Sequence, residues 1–125
     1  MSAMMFEVAV ESCFRASHAV RLPTGEMEPI HEHDWQVSVV FEGATLNDDG
    51  MLVDFELLRE RLLAILAPLR GTNLNEHPAL GGKPASAERV AQRIFELLDD
   101  VNGSQATLRR VTVREAPGCS ATFCN

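Results

Sequence analysis

Residues 18–35 read His-Ala-Val-Arg-Leu-Pro-Thr-Gly-Glu-Met-Glu-Pro-Ile-His-Glu-His-Asp-Trp, and three of the four histidines in the chain, His18, His31 and His33, lie within them. Side chains two apart on a β-strand leave from the same face, so His31 and His33 on a strand can grip one ion together. His18 closes the alternating run Phe6, Val8, Val10, Ser12, Phe14, Ala16, which predicts a long first strand with His18 at the end of its inward face. His31, His33, Trp35, Val37, Val39 and Phe41 share a parity and predict a second strand ending near Gly43, with residues 19–30 as the loop between. A third imidazole arriving beside the first two completes a three-histidine site with an open position, the arrangement of a catalytic zinc. A single histidine reads as a surface or satisfied core residue. The His-x-His pair facing a third histidine points instead to a metal, with zinc preferred for an all-nitrogen tetrahedral site and iron or copper left open.

Outward from this hairpin, Asn47-Asp48-Asp49-Gly50 reads as a turn. A first helix follows, capped by Asp54, with Phe55, Leu58, Leu62, Ile65 and Leu69 as its apolar stripe and Pro68 expected to end it. Residues 70–84 read as an irregular loop, and a second helix starts near Ser86, with Val90, Ile94, Leu97 and Leu98 on one face. Asn102-Gly103-Ser104 reads as a turn. Leu108–Glu115 is expected as a third strand with Val111, Val113 and Glu115 on one face, Pro117-Gly118 as a tight turn, and Cys119–Cys124 as a short fourth strand. The order β-β-α-α-β-β predicts an α+β fold, a four-stranded antiparallel sheet with two helices on one face. Its free edges invite assembly into oligomers.

At 125 residues the chain reads as one domain spanning 1–125, and 46% hydrophobic against 23% charged residues marks a sequence that folds. A net charge of −7 without a Lys/Arg cluster argues against nucleic-acid binding. No apolar run is long enough to cross a bilayer, and MSAMMFEVAVES lacks the basic and apolar regions of a signal peptide. Cys13, Cys119 and Cys124 form no C-x-x-C pair, which suits a reduced, cytoplasmic compartment; they read as small, partly buried apolar residues.

Phe14-x-Ala16-x-His18, His31-x-His33, Val53-Asp54-Phe55, Leu74-Asn75, Ser86-Ala87-Glu88 and Val113-Arg114-Glu115 occur in an order that resembles the tetrahydropterin synthase family, which includes 6-pyruvoyl-tetrahydropterin synthase and 6-carboxytetrahydropterin synthase. The resemblance covers nearly the whole chain. It implies the T-fold, or tunnelling fold, zinc held by His18, His31 and His33, and a homo-oligomeric ring, commonly a hexamer built as a dimer of trimers, with sites between subunits. It implies a carbon–oxygen lyase acting on 7,8-dihydroneopterin triphosphate or a close relative. Glu115 would anchor the pterin's amino-amide edge through two parallel N–H bonds, and Ser86 and Glu88 would line the pocket. Other readings stand beside these: Glu115 as a solvated strand-end charge, and Ser86 with Glu88 as plain helix capping.

The sequence departs from the family pattern where the synthases carry acid–base groups. Met27 occupies the position of the catalytic cysteine, Arg70 and Gly71 take the places of an Asp-His pair, and Glu32 replaces the usual glycine in His-x-His. Glu28, three residues before His31, resembles a subgroup in which a glutamate replaces the cysteine and the side chain is cleaved to give 6-hydroxymethyl-dihydropterin. A partly desolvated carboxylate beside a metal can serve as a general base; the alternative is an ordinary loop glutamate. His77 is a candidate substitute for the missing histidine, or an ordinary loop residue before a proline. The competing functions are a non-catalytic pterin- and zinc-binding protein and a purely structural domain.

Overall fold

The alternation read from the sequence becomes, in the computed structural model, β1 (Phe6–His18), β2 (His31–Gly43), β3 (Thr107–Ala116) and β4 (Cys119–Cys124), with α1 (Phe55–Leu66) and α2 (Ala87–Leu98) between the two strand pairs. The structure describes residues 4–99 and 105–125; the expected turn at Asn102-Gly103-Ser104 lies outside them. The strands form one antiparallel sheet in the order β1-β2-β3-β4. This is the α+β arrangement expected, with the helices packed on one face. No described helix is long and apolar enough to cross a membrane.

The β1–β2 ladder runs without a break from Phe6 opposite Gly43 to His18 opposite His31. Residues facing each other across an antiparallel pair share a face, so the unbroken register carries His18, His31 and His33 onto the same side as Phe14, Trp35, Val37 and Val39. Between β2 and β3 the register slips at Val40/Phe41, where Val39 pairs with Val111 but Phe41 pairs with Leu108. The extra residue on β3 lets Leu108 and Val111 both point inward despite their odd separation.

The core forms where this face meets Leu58, Leu62 and Leu66 of α1 and Val90, Ile94 and Leu98 of α2. The α1 stripe differs from the expected one. Leu66 is buried and Phe55, in the first turn beyond the docked line, is 51% exposed. Pro68 ends α1 at Leu66, and Ala67–Leu69 continues as a 3-10 turn that still buries Leu69. In α2, Phe95 is buried and Leu97 only partly so. Asp54 and Ser86 cap the helices by accepting from the Glu56 and Arg89 amides.

The segment read as irregular contains two more 3-10 turns, Leu74–Glu76 and Pro78–Leu80, and is tied to the end of β1 by Gly71 N–H to Arg15 O and Ser17 N–H to Thr72 O. The cysteines correct the sequence reading, since all three are exposed free thiols. Cys13 has the parity of Glu11 and Arg15, on the face away from the helices, and Cys119 and Cys124 sit at the two ends of the edge strand β4.

Candidate metal centre

The helix-facing side of the sheet is apolar until its end, where alternation places imidazoles above Trp35. Trp35 is fully buried, stacks on Phe14 and donates its indole N–H to Ala16 O at 3.1 Å. The His18 and His33 rings meet it edge-on, with centroids 4.7 and 5.6 Å away. This rigid floor fixes where the rings stand.

His18 is buried, and its Nδ1 donates to Ala85 O at 2.7 Å; His31 Nδ1 donates likewise to Pro29 O at 2.8 Å. A carbonyl can only accept, so each contact places the proton on Nδ1 and leaves the Nε2 lone pair free to bind an ion. One ligand nitrogen from each of His18, His31 and His33 lies within 4.8 Å of the others. The Nε2 atoms of His18 and His33 are buried with no hydrogen-bond partner. Buried polar atoms are costly to leave unpaired, and two of them aimed at a common point are what a metal would satisfy. Desolvation holds His33 below the ordinary imidazole pKa, against an opposing pull from the Glu115 carboxylate, which favours the neutral ring a metal needs. The three imidazoles fit a single metal ion.

Two carboxylates approach the triad. Glu115, with the inward parity of Val111 and Val113, sets one oxygen 3.8 Å from His18 Nε2 and the other 3.8 Å from His33 Nε2. Glu28 places Oε1 3.7 Å from His31 Nε2, and the same oxygen accepts from the Val20 amide at 3.0 Å. Both side chains are largely screened from solvent, at 28% and 23% exposure.

Cavities open on either side of Glu115. One of about 440 Å³ is lined by Glu88, Glu115, Cys119, Ser120 and Thr122. Another of about 400 Å³ is lined by His33, Glu115, Arg15, Asp34 and Arg114. Glu88 thus shares a cavity with Glu115, whereas the Ser86 hydroxyl accepts from the Arg89 amide at 3.2 Å as a helix cap.

The remaining sequence candidates are occupied elsewhere. His77 accepts from the Ala79 amide at 3.0 Å and meets Pro68 O at 3.2 Å, so both ring nitrogens are used by its own loop and its neighbour. Met27 is 52% exposed. Arg70 is exposed, and Gly71 takes a left-handed conformation with φ 71°. Sequence reasoning missed the Ala85 and Pro29 carbonyls, which are backbone partners, and a polar contact from Asn75 to the loop beyond His18, although the Leu-Asn motif was visible.

A family model described as 6-pyruvoyl tetrahydropterin synthase matches residues 7–125. The chain is similar to the Caenorhabditis elegans 6-pyruvoyl tetrahydropterin synthase structure, with a TM-score of 0.82 at 19% identity, covering 100% of this chain and 99% of that one. It is similar to the Plasmodium vivax enzyme, with a TM-score of 0.80 at 20% identity over 98% of each chain. A variant of that Plasmodium enzyme, altered to alanine at a catalytic glutamate, matches with a TM-score of 0.75 at 20% identity over 98% of each chain. No match was found among curated protein sequences.

Proposed function

The chain belongs to the 6-pyruvoyl tetrahydropterin synthase family, and from that premise we propose that it is a zinc-dependent pterin lyase of the glutamate type, acting on 7,8-dihydroneopterin triphosphate or a close relative. Membership supports lyase chemistry on a pterin. The observation that carries the finer reading is the Glu28 carboxylate, anchored on the Val20 amide and 3.7 Å from His31 Nε2.

His18, His31 and His33 would hold the zinc through their Nε2 atoms. Bound there, it would polarise the hydroxyl oxygens of the substrate side chain and stabilise charge developing on them. Glu115 binds the pterin ring, its two oxygens matching a pair of parallel N–H donors. Glu88 lines the adjoining cavity, and Ser86 supports that wall by capping α2. Glu28 takes a proton from the substrate side chain and returns it to the product, the work that Met27 cannot do. This glutamate-type cleavage breaks the C1′–C2′ bond of the side chain, so its products are 6-hydroxymethyl-dihydropterin, protonated at C1′, and the two-carbon aldehyde that carries the triphosphate. That a Plasmodium vivax relative has a catalytic glutamate supports the assignment. The long edge of β1 and the short edge of β4 suit a homo-oligomer, the hexameric ring of two trimers, with cytoplasmic small-molecule chemistry and no nucleic-acid or membrane partner.

Replacing Glu28 by Gln keeps the shape and removes the base. The variant should retain about one zinc per chain and lose on the order of 10²–10⁴-fold in kcat. Undiminished turnover contradicts the assignment.

A second reading is supported by Arg70 and Gly71 standing where the family has acid–base groups, and by His77 being engaged with backbone. It makes the chain a pterin- and zinc-binding protein without turnover. Tight dihydropterin binding with no product from zinc-loaded protein selects it.

A further inference from the structure

Ala19 leaves β1 immediately after His18. Its N–H donates to Asn75 Oδ1 at 2.7 Å, and its carbonyl accepts from Asn75 Nδ2 at 2.9 Å. A carboxamide carries one acceptor and one donor side by side, so it can close on both polar groups of one extended residue as a neighbouring strand would. The next residue of an extended chain turns its polar groups the other way. The Val20 N–H donates to Glu28 Oε1 at 3.0 Å, and the Glu28 N–H donates to Val20 O at 3.1 Å. Ala19 and Val20 are therefore a two-residue splint, with Asn75 on one edge and Glu28 on the other.

Asn75 is itself well fixed. Its amide donates to Asn73 Oδ1 at 3.0 Å, and the preceding Leu74 is fully buried in the core. Asn73 also bridges to Ser17 of β1. The carboxylate of Glu28, on a loop, thereby inherits the rigidity of the core through a carboxamide 56 positions beyond Ala19 in sequence.

We propose that Asn75 is a positioning residue: through the Ala19–Val20 segment it fixes the Glu28 carboxylate against His31. Its catalytic consequence rests on the acid–base role given to Glu28 above, but the clamp itself can be read without metal or substrate. A group displaced by about 1 Å from its productive position costs on the order of 10²-fold in rate.

Amide hydrogen exchange, followed by NMR on the metal-free protein, tests the splint. In Asn75→Ala, protection at the Val20 and Glu28 amides should fall about tenfold or more, while Val37 and Val111 in the sheet centre keep theirs. Asn75→Asp should show the same loss, because it keeps an acceptor for the Ala19 N–H but sets an oxygen against the Ala19 carbonyl. It replaces the alanine variant if that does not fold. In zinc-loaded protein, kcat of either variant should fall toward that of Glu28→Gln with KM little changed, and the double variant should be no slower than Glu28→Gln alone. Unchanged protection at Val20 and Glu28 overturns the proposal, as does a double variant much slower than both singles. Lost protection alongside a Glu28→Gln enzyme of normal turnover supports the clamp and overturns the acid–base reading instead.

Discussion

His18 stands directly opposite His31 at the last pair of the β1–β2 ladder, with ring centroids 4.8 Å apart. Each directs its Nδ1 proton to a backbone carbonyl, His18 to Ala85 and His31 to Pro29. The two tautomers are set by different parts of the chain, the residue ahead of the α2 cap and the loop before β2. The ring orientations are therefore held from two separate parts of the fold.

The first prediction concerns the metal. His31 is the most exposed of the three rings, so His31→Ala should fold normally yet lose the ion. Elemental analysis of purified protein should give about one zinc per chain for the wild type and much less for the variant. Equal contents would remove the triad from the account.

The second concerns the floor of the site. Trp35→Phe deletes the buried N–H that satisfies Ala16 O and leaves space beneath His18. The expected loss is about 1–3 kcal/mol of stability, measured by denaturant unfolding of the metal-free protein.

A third concerns acid. His33 is held below the ordinary imidazole pKa, chiefly by desolvation. The folded state thus binds this proton less readily than the unfolded chain does. As the pH falls below the unperturbed value of about 6.5, the unfolded state gains protons first and stability declines; above it the penalty is gone. Denaturation midpoints of metal-free protein should therefore drop on acidification, and His33→Gln should flatten part of that dependence.

Glu115 gives the fourth prediction. Glu115→Gln keeps one acceptor and loses the charge, so KM for the pterin should rise about 10- to 100-fold with zinc content preserved. An unchanged KM would return Glu115 to the role of a strand-end charge lying between two histidines.

The fifth lies in the fold itself. A Cβ at Gly43 would run into the Gln105 carbonyl oxygen and lie 2.6 Å from Leu52 Cδ1. Gly43→Ala, at the far end of the β1–β2 ladder from the histidines, should cost about 1–3 kcal/mol in unfolding free energy.

Much of this was legible in the sequence because sheets obey a period of two. The parities of Phe6 to His18 and of His31 to Phe41 gave both strands and the face shared by the histidines. Helix ends were legible from Asp54, Ser86 and Pro68, each acting locally. The misses have long-range or three-dimensional causes. Phe55 fits the helical stripe, but α1 docks along Leu58, Leu62 and Leu66. The cysteines resemble small core residues in composition, but Cys13 has outward parity and the other two end an edge strand. The Asn75 clamp joins residues 56 apart in sequence, and the Ala85 carbonyl lies 67 positions from His18. No local pattern announces a backbone oxygen.

The most direct test is to incubate zinc-loaded protein with 7,8-dihydroneopterin triphosphate and identify the product by mass spectrometry. A zinc triad served by Glu28 predicts 6-hydroxymethyl-dihydropterin, lost in Glu28→Gln while the metal stays. No conversion of any dihydropterin by fully loaded wild-type protein would contradict the account.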